Sequence, residues 1–156
     1  MDFLYREATI EDLGLLTETR IKVLRAANGL DDSMDMPEVR KHTYAYYKKA
    51  LADGSHVAYL VFDGDTVIGT GGVSFFRVMP TYHNQTGYKA YIMNMYTDQR
   101  YRRKGIASKV LGLLVKASLA KGIPAISLEA TDMGRFLYKK FGFLKMDNEM
   151  ELPNCR

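Results

Sequence analysis

Four cations crowd around one glycine in Arg100-Tyr101-Arg102-Arg103-Lys104-Gly105-Ile106-Ala107. Residues 88–97 before this run read as a strand. After it, Ile106, Val110, Leu113, Leu114 and Ala117 recur at helical spacing. A strand, a basic glycine turn and a helix start, in that order, restrict the chain to an α/β arrangement. They also predict a binding place for a phosphorylated ligand. The first turn of a helix offers unpaired N–H groups and partial positive charge. Arginines add permanent charge and forked donors.

The charge balance supports a compact anion. The chain has 22 basic and 18 acidic residues, a net charge of +4. Arg100, Arg102, Arg103 and Lys104 account for that whole excess, so the rest of the chain is balanced. A nucleic-acid binder spreads its Lys and Arg along a face; nucleic acid is therefore not the expected partner.

With 156 residues, 47% apolar and 26% charged, the sequence predicts one globular domain over 1–156. No apolar run approaches the ~18 residues of a membrane span. The first residues, Met-Asp-Phe-Leu-Tyr-Arg-Glu, lack the pattern of a secretory signal. The single cysteine, Cys155, has no partner for an internal disulfide. The expectation is a cytoplasmic protein with no catalytic thiol and no metal site.

Residues 3–8 read as a strand, and Thr9-Ile10-Glu11-Asp12 has the form of a capping box. Leu13, Leu16, Arg20, Val23 and Leu24 then follow at helical spacing, up to a stop at Gly29. Pro37 opens a second helix carrying Val39, Tyr46, Tyr47, Ala50 and Leu51, ending before Gly54. Strands are predicted over 56–62 and 67–78, joined at Asp63-Gly64. Gly69, Gly71 and Gly72 interrupt the second of these. No Lys-Ser/Thr and no helix follow them, so they are not a phosphate loop; bulges or close backbone approach explain them.

A loop over 79–87 leads to the strand at 88–97. The helix after the basic turn ends near Gly122, with Pro124 beyond. A short strand covers 125–130, Thr131-Asp132 caps a last helix, and a final strand starts at Phe143. The order β-α-α-β-β-β-α-β-α-β predicts a mixed, mostly antiparallel sheet of six to seven strands with helices on both faces.

Arg102-x-x-Gly105-x-Ala107 resembles the R/Q-x-x-G-x-G/A turn of the GCN5-related N-acetyltransferase (GNAT) superfamily, and the predicted element order is the superfamily's. Leu137-Tyr138 and Gly142-Phe143 stand where its C-terminal motif has Leu-Tyr and Gly-Phe. Thr131 and Asp132 replace the usual Asn at that helix start, which changes a contact to the pantetheine arm and not the fold. The resemblance implies that acetyl-CoA is the co-substrate. Its diphosphate is expected at Arg102, Arg103, Lys104, Gly105, Ile106, Ala107 and Ser108. Its pantetheine and thioester are expected along Met95, Tyr96 and Thr97, where the family's fourth strand splays from the fifth.

The implied reaction is direct attack of a primary amine on the thioester in a ternary complex. Tyr138 matches the family's acid, which protonates the leaving thiolate. A base must deprotonate the amine, whose ordinary pKa is near ~10.4. Glu129, Asn94 through a water, and His83 are all open for that part. The acceptor side is expected from the first two helices and the 79–87 loop. A small-molecule amine is favoured over a protein, and Asp31, Asp32 and Asp35 are candidates to attract it. The alternative is an acyl-CoA-binding sensor of the same fold without transferase activity. The resemblance leaves a homodimer open.

Overall fold

The computed structural model describes residues 2–153. Strand β1 (Leu4–Glu7) enters a single tight turn, Ile10–Asp12, and then helix α1 (Leu13–Asn28). The expected capping box closes this entry. The Asp12 carboxylate accepts the Thr9 N–H at 2.8 Å, and the Thr9 hydroxyl accepts the Glu11 N–H at 3.3 Å. Arg6 clamps Asp12 from β1 with two bonds of 2.9 and 3.1 Å. Gly29 ends α1 in the left-handed conformation at φ 62°. Helix α2 (Pro37–Asp53) has proline in its first turn, where the missing N–H costs no helical bond.

Strands β2 (His56–Asp63), β3 (Thr66–Arg77) and β4 (Tyr88–Thr97) form a meander. Helix α3 (Ile106–Ala120) then crosses over to β5 (Ile126–Leu128), which lies parallel to β4. A parallel neighbour requires such a crossover. The sheet order is β1-β2-β3-β4-β5, and every pair except the last is antiparallel. Helix α4 (Arg135–Phe141) follows β5.

Helices cover both faces, as the sequence predicted. On one, Leu13 and Leu16 of α1 and Tyr47 of α2 pack on Ala58 and Leu60. On the other, Ile106, Val110, Leu111 and Leu114 of α3 pack on Val61, Ile68, Val73 and Ile92. Burying each such aliphatic side chain contributes roughly 1.5–3 kcal/mol. This core fixes β4, and with it the turn that leads to α3.

The strand count is corrected. Five strands form rather than six to seven, and no strand follows α4 among the described residues. The chain folds back onto the end of α4 instead. The Phe143 N–H goes to the Tyr138 carbonyl at 2.9 Å, and the Phe143 ring meets the Tyr138 ring edge-on at 6.2 Å. Phe143 is thereby drawn towards the helix, while Leu144 and Met150 stay exposed. Helix α4 also starts later than expected. Thr131 and Asp132 lie in a turn before it, where the Thr131 hydroxyl accepts the Gly134 N–H at 3.1 Å.

Candidate active site

Strands β4 and β5 pair at Ala90–Ile126, Tyr91–Ser127 and Ile92–Leu128, and then part. Strand β4 continues to Thr97 with no partner on that side. On its other side, the register with β3 jumps from Gly72–Met93 to Thr70–Tyr96. Asn94 and Met95 therefore bulge opposite Gly71, with Asn94 at φ 61°. A residue other than glycine is uncommon there, although Asn tolerates it better than most. Over 93–97 the edge of β4 that faces β5 pairs with no strand among the described residues, which leaves a wedge between the two strands. The Thr97 hydroxyl is buried there without a hydrogen-bond partner among the described residues.

Below the wedge, the basic run does three different jobs. Arg100 is committed to Asp98 through bonds of 3.3 and 3.2 Å, which hold the Asp98 carboxyl below its usual range. Arg102 donates to the Thr97 carbonyl at 3.2 Å, tying the turn to the end of β4. Arg103 and Lys104 are exposed and belong to no ion pair among the described residues. Arg103 and Gly105 have positive φ, 65° and 81°.

Gly105 precedes the first residue of α3, with no side chain capping the helix. The N–H groups of Ile106, Ala107 and Ser108 thus point out of the helix start. A Cβ added at Gly105 would meet nothing within 4 Å, so the approach to these groups is open. Two free cations, a helix N-terminus and a clear approach fit a diphosphate. Lys104 and Lys109 also line a hollow of about 420 Å³ beside Phe3 and Tyr5 of the N-terminal strand region.

Tyr138 is 9% exposed and packs with Ile123 and Leu114. It lines an open groove of about 840 Å³, together with Val115, Ile126, Leu128 and Phe143. Burial raises its phenol pKa above the ordinary value, so the group is protonated at neutral pH. Glu129, exposed, follows the last paired residue of β5, at the mouth of the gap. Its carboxylate raises the Tyr91 phenol further, after burial, through charge and a hydrogen bond. His83 and His42 are exposed, His83 against the ring of Tyr82.

A polar seam that the sequence did not expose runs behind the bulge. Arg20 of α1 donates to the Asn94 side-chain oxygen at 3.0 Å, and the Asn94 amide reaches the Tyr47 phenol at 3.4 Å. Tyr46 and Ser74 both contact His56 Nδ1, at 3.0 and 3.1 Å, and each other at 2.6 Å. Burial, then the Arg20 charge, lowers His56 to about 4. The sequence singled out Asn94, Tyr46 and Tyr47 separately, and its signal for the seam is Arg20, a charged residue on the apolar stripe of α1.

The family model described as Acetyltransferase (GNAT) family matches residues 25–143. The chain belongs to this family. The match takes in the bulge of β4, the basic turn and Tyr138. A structure from Clostridium acetobutylicum, a predicted acetyltransferase with acetyl-CoA, is 34% identical; the match covers 97% of this chain and 96% of that one, with a TM-score of 0.88. A GCN5-related N-acetyltransferase from Ralstonia eutropha JMP134 is 25% identical over 97% of this chain and 98% of its own, at TM-score 0.83. An aminoglycoside acetyltransferase from an uncultured soil metagenomic sample, 18% identical over 98% and 99%, shares the fold at TM-score 0.76. A search of the curated proteins found no match. Acetyl-CoA is the co-substrate of the GNAT family, as expected from the sequence. No helix among the described residues is long and apolar enough to cross a membrane, and no cluster of potential metal ligands occurs among them.

Proposed function

We propose that residues 1–156 form one acetyltransferase domain that moves an acetyl group from acetyl-CoA to a primary amine of a small molecule. The observation that carries this reading is the wedge between β4 and β5, continuous with an open, cationic helix start at Gly105. The diphosphate lies on the N–H groups of Ile106, Ala107 and Ser108, with Arg103 and Lys104 supplying charge. Arg102 serves as the strut that holds this turn against Thr97. The pantetheine runs up the free edge of Met95, Tyr96 and Thr97, where backbone N–H groups replace a missing strand.

The thioester carbonyl then sits beside the bulge, where an N–H can stabilise charge developing on its oxygen. A neutral amine attacks the carbonyl carbon; the C–N bond forms and the C–S bond breaks. The departing sulfur takes the proton of Tyr138, and the amine proton leaves through Glu129 or a water. Burial keeps the phenol protonated until a thiolate forms beside it. Glu129 fits the part of base by its place at the gap mouth.

Calorimetric titration with acetyl-CoA, wild type beside Gly105→Glu, tests the reading. Saturable binding lost in the variant is expected. Folded wild type that binds no acetyl-CoA would refute the acetyltransferase reading. Tight binding with no transfer to any amine would favour an acyl-CoA sensor.

A further inference from the structure

Arg20 is a half-buried guanidinium in the inner stripe of α1, and none of the ion pairs among the described residues includes it. Its one side-chain hydrogen bond among the described residues goes to the neutral Asn94 amide, in the bulge where β4 leaves β5. Of the other side chains of this seam, Tyr47 and His56 carry no negative charge: Tyr47 is pushed up to about 12 by burial, and His56 stays neutral. A guanidinium has five N–H donors and loses hydration when partly buried, so one outside any ion pair beside the β4 bulge is poised for an anion. Lys22, on the same helix, lies 6.0 Å from the centre of the Tyr96 ring and adds a second cation along β4.

Two of the three acidic residues that the sequence suggested for attracting a cationic amine, Asp35 and Asp31, have partners of their own. Asp35 pairs with Arg40 at 2.8 Å, and Arg40 also pairs with Glu18. The Asp31 carboxylate accepts the Ser33 N–H at 2.9 Å. Arg20 and Lys22 put positive charge on the α1 side of the gap, with Asp98 near Lys22, while Glu129 stands at the end of β5 on the other side.

Resting on the proposed acetyl transfer, we propose that the acceptor is an amine that also carries a carboxylate, an amino acid or a close relative, and that Arg20 binds the carboxylate. The guanidinium fork holds both carboxylate oxygens while keeping its bond to Asn94. This orients the amine towards the acetyl group at the bulge and Glu129 at the mouth. Diamines and polyamines lack the anion and meet Arg20 with like charge.

The test compares amines that differ only in the carboxylate: L-lysine with cadaverine, and L-phenylalanine with phenethylamine, followed by release of CoA. At least a tenfold higher kcat/KM is expected for one or both amino acids. Arg20→Gln, which can still hydrogen-bond Asn94, should raise the amino-acid KM at least tenfold and abolish the preference. Its Kd for acetyl-CoA should stay within twofold of wild type. Arg20→Lys, keeping charge without the fork, should fall between. Equal or better use of the decarboxylated amines, or a Gln variant with unchanged preference, overturns the proposal.

A second readout does not depend on turnover. N-acetyl-lysine and N-acetyl-phenylalanine, titrated into the CoA complex, should bind to wild type and at least tenfold more weakly to Arg20→Gln. Acetyl-CoA binding without transfer to any amine counts against the proposed function. In that case Arg20-dependent carboxylate binding still supports the anion site, and its absence removes it.

Discussion

Ile92 and Leu128 are the last residues at which β4 and β5 stay in register. Everything proposed for acetyl-CoA depends on what happens two residues later. Asn94 and Met95 bulge opposite Gly71, the single β3 residue between the two registers. The wedge is thus a property of three strands.

Gly71 is the residue that makes room. A Cβ there would lie 2.6 Å from both Met95 Sδ and Val110 Cγ1. Gly71→Ala must displace the Met95 and Val110 side chains, and overpacking of this kind costs about 1–3 kcal/mol. Urea denaturation should show that loss, and calorimetry should show weaker acetyl-CoA binding as Met95 is pushed aside. A variant with wild-type stability and binding would mean that the bulge does not depend on the missing side chain.

Tyr138 and acetyl-CoA binding should separate. The Tyr138 hydroxyl makes no hydrogen bond to another described residue, so Tyr138→Phe leaves no partner unsatisfied. Its stability and its acetyl-CoA Kd should stay near wild type. Turnover should fall by about 10²-fold, the lower range for a positioned acid. Because burial raises the phenol pKa, the wild-type rate should not decline through loss of that proton until pH exceeds the ordinary tyrosine value of 10.0. Unchanged turnover in steady-state assays would remove Tyr138 from the chemistry.

The legibility of this chain follows the range of its interactions. The capping box at Thr9, the left-handed Gly29 and the hairpin at Asp63-Gly64 are local, so a few residues specify them. The basic turn is equally local, and its sequence pointed to Gly105 directly. The sixth strand failed because its pattern competes with a contact absent from the strand itself, the return of Phe143 onto the end of α4. The Arg20–Asn94 bond joins residues 74 apart, across a helix and a strand. Helical spacing marked Arg20 as inward-facing, but no local rule names its partner. The expectation for Cys155 lies outside the described residues.

Arg103 holds a conformation that favours glycine, and it does so at the anion site. At φ 65° a side chain costs roughly 1–2 kcal/mol. Arg103→Gly relieves that strain while adding unfolded-chain entropy, so stability should stay level or rise by up to about 1 kcal/mol. Acetyl-CoA binding should weaken, and its salt dependence should flatten, because one of the two free cations is gone. Melting curves and calorimetry at two salt concentrations check both halves. A variant that is more stable and binds equally well would show that Arg103 contributes neither charge nor geometry.

His56 should make the fold sensitive to mild acid. The residue is 4% exposed, Nε2 faces Gly72 without a partner among the described residues, and its pKa falls from 6.5 to about 4. The folded protein thus refuses a proton that the unfolded chain accepts. Above pH 6.5 neither state takes it, and His56 imposes no penalty. As pH falls from 6.5 towards 4, the unfolded state gains a proton that the folded state lacks, and stability declines by about 3 kcal/mol before levelling off. Chemical denaturation of wild type and His56→Gln across this window isolates the histidine, because the carboxylates titrate in both proteins. The variant starts less stable, having lost the contacts to Tyr46 and Ser74, but its decline should be shallower. Parallel declines would mean that His56 opens to water before it is protonated.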